Sequence, residues 1–416
     1  MEIKKMVSIF WYFARFSLSL SPIYSINLII NVHLRSKMKK LNIISMALCA
    51  MMGTATLTSC EGTLDDVFGE WSRPTKTEPT LSIEETPLTI EAVEAGTIRV
   101  VYAKGMTLPK PITYTKNGVS TSITATTEIT VAAGDVVSFS SENSTLYDGT
   151  NYAYIRTDLK CYVYGNVMSM INDEGDFSKD KTISGDYALV FLLSLNKNMC
   201  NHPDKKLILP ASTLSMGCYY GLFYGCHSLA SAPELPATTL TQECYYEMFF
   251  NCPALTTAPA LPATTLATEC YYKMFYNCTG LTTAPALPAT TLAEKCYYMM
   301  FEKCTGLSTA PELPATTLAS QCYYGMFYNC TALETAIVLP ATTLVDKCYV
   351  AMFEGCSKLS SVSCKATSGI DGANLTDWLD NAGTDATSPT LHVTTGKESK
   401  SWTLPTTPTW TIKADL

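Results

Sequence analysis

A block of 26 residues, LPATTLATECYYKMFYNCTGLTTAPA at 261–286, returns without insertion from Leu209 to Cys364. Its LP(A)(T/S)TL opening stands at 209, 235, 261, 287, 313 and 339. A Cys-Tyr pair follows at 218, 244, 270, 296, 322 and 348, and a second cysteine at 226, 252, 278, 304, 330 and 356. A fixed period of this length means a solenoid. Each unit is one supersecondary element that buries its apolar side only by stacking on its neighbours, so 209–364 reads as six stacked rungs.

On a helical wheel of about 100° per residue, Cys270, Tyr271, Met274, Phe275 and Cys278 fall within roughly 140° of one another. Tyr272, Lys273, Tyr276 and Asn277 fall on the other side. The spacing predicts two turns of helix per rung, with the second tyrosine of each pair facing out or at the rim. Residues 281–287, LTTAPAL, are where the strand is expected. Pro285 and its equivalents Pro233, Pro259 and Pro311 can donate no ladder hydrogen bond. The prediction is therefore a short parallel strand, bulged at that proline, before Pro288 turns the chain back towards the next helix.

Residues 270–288, CYYKMFYNCTGLTTAPALP, resemble the BspA-like leucine-rich-repeat family of bacterial surface proteins. Units of that family carry an Ala-Phe pair, a cysteine three residues later, then a leucine, a short strand and a proline. Here Met274-Phe275 takes the place of the pair, Cys278 of the cysteine, Leu281 of the leucine and Pro288 of the proline. The units are a few residues longer than the family's usual length. The expected fold is an α+β solenoid: a right-handed leucine-rich-repeat stack of short parallel strands and short helices, preceded by a small β-sandwich.

The chain ahead of the repeats divides by composition. Met38-Lys39-Lys40, the apolar run from Leu41 to Leu57 and the ending Leu57-Thr58-Ser59-Cys60 make a basic n-region, an h-region and a small-residue cleavage site. The ending resembles a lipobox, so 38–60 is expected to be a lipoprotein signal peptide with Cys60 as the lipidated first residue. Residues 1–37 hold apolar stretches broken by Arg15, Pro22, Asn27 and Asn31, short of the roughly 20 apolar residues of a membrane span. They read as an upstream extension, the alternative being a transmembrane anchor. Residues 61–80 are a polar linker. From 81 to 172, short β-like runs separated by turn signals such as Asn117-Gly118 predict the β-sandwich. Residues 173–208 read as a degenerate first repeat that caps the stack, with a helix over Tyr187–Leu195. Residues 365–416 read as the C-terminal cap, with a short helix over 374–383, strands at 390–394 and 410–412, and Trp378, Trp402 and Trp410 as an apolar lid.

Removing the leader leaves 22 basic against 36 acidic residues, where the whole chain has 29 against 37. Such a surface repels nucleic acid, and no basic run offsets it. The mature chain has three histidines, His202, His227 and His392, none spaced with a carboxylate or cysteine as in known catalytic or metal motifs. Cys226-His227 is the one adjacent thiol–imidazole pair. CxxC never occurs, and no phosphate loop, GxSxG or HExxH is present. No enzyme activity, cofactor or metal is expected. The twelve repeat cysteines read as a buried ladder of free thiols acting as small hydrophobes, with disulfides as the alternative.

The resemblance implies an exported, lipid-anchored protein of the outer membrane or cell surface of a Gram-negative bacterium. Its implied function is non-enzymatic binding: adhesion to a host or matrix protein, or to another cell. The alternative is a glycan-binding surface lipoprotein that supports carbohydrate uptake. Candidate ligand contacts are Tyr246, Tyr272, Tyr298 and Tyr324, because large aromatic anchors suit recognition better than the Thr, Ala and Pro of the strand face. The variable site of that face reads Glu234, Ala260, Ala286, Glu312, Val338 and Cys364.

Overall fold

The structure, a computed structural model, describes residues 81–172, 175–334 and 336–416. The expected upstream extension, signal peptide, lipidated Cys60 and linker lie outside the described residues.

Between 88 and 166, alternating apolar and polar side chains form β1 (Leu88–Ala92), β2 (Gly96–Tyr102), β3 (Ile112–Lys116), β4 (Val119–Ile123), β5 (Thr127–Val131), β6 (Val136–Ser141), β7 (Ala153–Thr157) and β8 (Cys161–Asn166). They pair antiparallel in two sheets, ordered β8-β1-β6-β3-β4 and β5-β2-β7. Leu88, Ile90, Val137 and Phe139 of the first sheet and Ile98, Val100 and Ile155 of the second are fully buried in a common core. The hydroxyl of Tyr102 links the sheets, donating to the Ile123 carbonyl at 2.9 Å and accepting from the Ile112 N–H at 3.2 Å. Asn117 and Gly118, at φ 52° and 75°, supply the paired left-handed residues that a tight β3–β4 hairpin requires.

The strand β8 then changes partner type. It pairs parallel with β9 (Met199–Asn201) and β10 (Leu207–Ile208), so the last strand of the antiparallel sheet also begins the stack. Asn196, fully buried, fixes the join by donating to the Ile155 and Leu193 carbonyls and accepting from the Thr157 N–H. Both parts belong to one compact unit, Pro79–Leu416.

The expected repeat helices do not form. The only α-helix among the described residues is α1 (Gly372–Leu375), and residues 187–195 and 376–385 are turns as well. Each rung instead makes a wall of consecutive tight turns. In the rung at 269–278, alternate N–H groups close turns within the rung: Tyr272 to Glu269, Met274 to Tyr271, Tyr276 to Lys273 and Cys278 to Phe275, all at 3.1–3.2 Å. The others donate to the next rung: Tyr271 to Cys296, Lys273 to Tyr298, Phe275 to Met300 and Asn277 to Glu302, at 2.7–3.1 Å. An α-helix would send every one of these donors to residue i−4 of its own rung. Every fourth residue is left-handed, as at Glu269, Lys273 and Asn277 with φ 56°, 49° and 57°. The first repeat places glycine at all three such positions, Gly217, Gly221 and Gly225. There the rings of Tyr187 and Phe191 lie so close that a Cβ on Gly217 or Gly221 would stand 2.3 or 2.2 Å from a ring carbon.

The strand expectation is also corrected, and proline is the reason. Where Pro233, Pro259, Pro285 and Pro311 stand, no ladder joins neighbouring rungs, and two of the three junctions carry one isolated bridge each, Ser231 to Thr257 and Thr283 to Thr309. Where the equivalent residue is Leu207, Ile337 or Ser363, a strand forms. These strands are β10 at one end and, at the other, β11 (Ile337–Leu339) and β12 (Ser361–Cys364), continued by β13 (Thr390–Val393) and β14 (Thr411–Ala414) in one parallel sheet. Proline lacks the N–H a ladder needs, so four consecutive rungs forgo it. Beyond the last repeat Trp378, Trp402 and Trp410 are buried, their indole N–H groups donating to the carbonyls of Trp402, Lys397 and Ala382.

Candidate functional site

The period of four in the turn wall sorts its side chains into columns that run along the stack. The first tyrosine of each pair, from Tyr219 to Tyr349, is buried, as are the phenylalanines from Phe223 to Phe353. The second tyrosine stands one position further out. Tyr246, Tyr272, Tyr298 and Tyr324 are half-buried, with Tyr220 ahead of them in the same column.

These outer rings stack on one another. Ring centroids are 4.3 Å apart for Tyr220–Tyr246, 4.4 Å for Tyr246–Tyr272 and 4.7 Å for Tyr272–Tyr298 and Tyr298–Tyr324, with interplanar angles of 3–13°. The ring faces are therefore covered by neighbouring rungs, and the column offers solvent an edge. Val350 takes the next position and ends it. Burial pushes the Tyr298 phenol up to about 12 and raises those of Tyr220, Tyr246 and Tyr272, so all four are neutral donors near neutral pH.

A second, shorter column runs beside it: Tyr224, Phe250 and Tyr276, with centroids 4.6 and 4.3 Å apart. The wheel left Tyr276 as a solvated position, whereas aromatic residues recurring at 224, 250, 276 and 328 are the signal that would have found this column. Glu302 breaks it and is buried beside Lys303 at 3.2 Å. Charged groups from the left-handed positions edge both columns. Lys273 Nζ lies 5.4 Å from the Tyr272 ring centre and 5.7 Å from that of Tyr276. Glu243 accepts from the Tyr187 hydroxyl at 2.8 Å, and Lys295 pairs with Glu269 at 2.9 Å.

All twelve repeat cysteines are free and fully buried. The second of each pair is a hydrogen-bond donor. The Sγ of Cys278, Cys304, Cys330 and Cys356 stands 3.0–3.1 Å from the carbonyl oxygen of Phe249, Phe275, Phe301 and Phe327, each in the preceding rung. Burial pushes the Cys278 thiol up to about 12, which keeps the donor proton in place. Cys226 is held likewise, donating to the Leu193 carbonyl with its thiol also pushed up to about 12 by burial. That is the opposite of what a thiolate nucleophile next to His227 needs, and His227 instead contacts Asn251 through Nε2 at 3.1 Å.

The remaining histidines have structural partners. His202 accepts at Nδ1 from the N–H groups of Asp204 and Lys205, and its ring meets the edges of Tyr162 and Tyr164. His392 Nδ1 lies 2.8 Å from Asp415 on the β13 face. Ser363 is its register partner on β12. No group of three His, Cys, Asp or Glu residues fit to hold a metal ion occurs among the described residues.

The proline face is shallow. Pro259, Pro262, Pro285 and Pro288 with Ala258, Ala260, Leu261 and Ala286 line a groove of about 260 Å³. Of its variable site, Glu234, Ala260, Ala286, Glu312 and Val338 are exposed, whereas Cys364 is buried within β12.

Residues 200–324 and 271–372 match the family model of the BspA type leucine rich repeat region, in six copies. No curated protein and no solved structure matches the chain.

Proposed function

Since residues 200–372 form a BspA-type leucine-rich-repeat region, we propose that the chain is a non-enzymatic binding protein of the cell surface that adheres through its turn wall to a host or matrix protein, or to another cell. The family points to a protein-interaction or surface role. Its export, and its anchoring through an acylated Cys60, follow from the leader sequence at 38–60. The observation that carries the reading is the outer tyrosine column: five phenol edges in a row, with the charged residues of the left-handed positions beside them. Tyrosine edges with neutral hydroxyl donors suit a protein surface. A sugar ring needs an open aromatic face, and within this column the faces are taken by neighbouring rungs.

Probing residues 61–416 against a protein array and a glycan array tests the reading. Binding is expected on the protein array, and a Tyr246→Phe, Tyr272→Phe, Tyr298→Phe variant should weaken it. Phe250 already stacks between Tyr224 and Tyr276, so phenylalanine keeps the column while removing the hydroxyls. Glycan binding alone, or unchanged protein affinity in the triple variant, would move the site elsewhere.

A further inference from the structure

We propose that the outer tyrosine column is an oxidative modification site, at which one-electron oxidation of neighbouring phenols joins consecutive rungs through dityrosine bonds. Tyr220, Tyr246, Tyr272, Tyr298 and Tyr324 repeat one side-chain pose, with ring centroids 4.3–4.7 Å apart and planes within 13° of parallel. Rings this close and this nearly parallel bring the carbons ortho to neighbouring hydroxyls near one another across each rung boundary. The buried column is spaced more widely, at 5.7–6.1 Å from Tyr245 to Tyr349, and is closed to solvent. Most sulfur nearby is hidden, since Met248, Met274, Met300 and the repeat thiols are all fully buried, whereas Met216 and Met299, the latter next to Tyr298, are half-buried. Phenol edges that reach solvent are thus the oxidisable groups this wall repeats from rung to rung, with the Met299 thioether beside Tyr298 as a local competitor that yields a sulfoxide and no link.

The chemistry balances with hydrogen peroxide as oxidant and a haem peroxidase as catalyst. Each of two phenols loses one electron and one proton, and the peroxide takes up both pairs to become two waters. The two phenoxyl radicals form a carbon–carbon bond between ortho positions. The hydrogens on those carbons then move to the oxygens, restoring both phenols. The product lacks two hydrogen atoms relative to the two tyrosines, and it converts a stacked contact between rungs into a covalent one.

The test treats the full chain with a haem peroxidase and limiting peroxide, then maps links in the monomeric fraction by peptide mass spectrometry. A parallel sample uses a small photochemical oxidant, ruthenium tris-bipyridyl with persulfate, so that access of an enzyme is not in question. Links 220–246, 246–272, 272–298 and 298–324 should dominate in both. Tyr272→Phe keeps a ring in the stack but cannot form a phenoxyl radical. It should lose the 246–272 and 272–298 links and keep the other two, with unchanged circular dichroism. Links spread evenly over tyrosines outside the column, oxidised tyrosine without links under both oxidants, or a link pattern indifferent to Tyr272→Phe would each overturn the proposal.

Discussion

The two long sides of a rung meet their neighbours in opposite ways. On the turn wall, every second N–H from Tyr271 to Asn277 crosses to the next rung, and the aromatic columns stack behind it. On the proline side, four consecutive rungs share at most one isolated bridge per junction, because Pro233, Pro259, Pro285 and Pro311 bring no donor. Cohesion of the stack therefore resides in the wall, while the opposite side is left free to vary, as Glu234, Ala260, Ala286, Glu312 and Val338 do. A leucine-rich repeat with a continuous strand ladder would reverse that division. Here, among the described residues, the ladder survives only at the two ends, in β8–β10 and in β11–β14.

The largest expected effect comes from pH, since the ionisable groups hidden by folding sit almost wholly on the wall side. Burial raises the thiols of Cys218, Cys226, Cys270 and Cys278 to about 12, and raises the remaining repeat thiols and the inner tyrosines as well. An unfolded thiol titrates near 8.5. The folded state therefore holds more protons between those values. Its stability is fully present below about pH 8.5 and falls as pH rises towards 12, since each thiol released by unfolding can ionise there. With twelve such thiols, the repeat region should unfold cooperatively by about pH 10–11. Circular dichroism against pH, with free thiols counted after return to neutral, checks this. Retention of the stack at pH 11 would mean the thiols are not buried as a set.

Point substitutions separate the two sides. Phe275 is fully buried, with Phe249 at 5.6 Å and Phe301 at 5.5 Å. Phe275→Ala should cost about 3–5 kcal/mol in chemical denaturation. Pro285→Ala, ten residues along in the same rung, should cost about 0.4–1 kcal/mol, mostly through the freer unfolded chain. Equal costs would refute the division of cohesion. Gln321 tests the wall's conformation. It is left-handed at φ 55°, and no side-chain hydrogen bond holds it. Gln321→Gly should stabilise by about 1–2 kcal/mol by relieving that backbone. In a helix the same change would cost about 1 kcal/mol, so the sign of the measured shift decides between turn wall and helix.

Which side chains are buried was legible in the sequence, but how the backbone buries them was not. Across nine residues, from Cys270 to Cys278, periods of four and of 3.6 select the same five buried positions, so the wheel finds the core under either backbone. The distinguishing signal lay in the polar positions. Gly217, Gly221 and Gly225 recur every four residues, and the last of the three sites reads Gly225, Asn251, Asn277, Lys303, Asn329 and Gly355. Gly and Asn are the residues that accept a left-handed backbone, and a helix interior disfavours both. The outer tyrosine row was likewise legible as a row. Its closed ring faces were not, because a wheel gives the azimuth of a side chain but not the distance to the next rung. The break in the strands was written in the prolines themselves, which bring no donor to a ladder.

The smallest effect tests that last point, at the rung where the ladder begins. Residues 309–313 read TAPEL and their neighbours 335–339 read TAIVL, so Pro311 faces the position of Ile337 at the start of β11. If proline alone keeps the ladder from continuing, Pro311→Ile should extend the β11–β14 sheet by one strand. The new N–H gains one hydrogen bond, worth about 0.5–1.5 kcal/mol net. Against it stands about 0.4–1 kcal/mol for releasing the unfolded chain from proline. The two nearly cancel, so the unfolding midpoint should barely move, and stability is the wrong quantity to read. Amide exchange is the right one. The 311 amide, absent in the parent, should be protected, whereas the reverse change, Ile337→Pro, should strip protection from the β11 side of β12. If the 311 amide exchanges as freely as an exposed one, proline is a passenger and the geometry of the turn wall sets where the ladder stops.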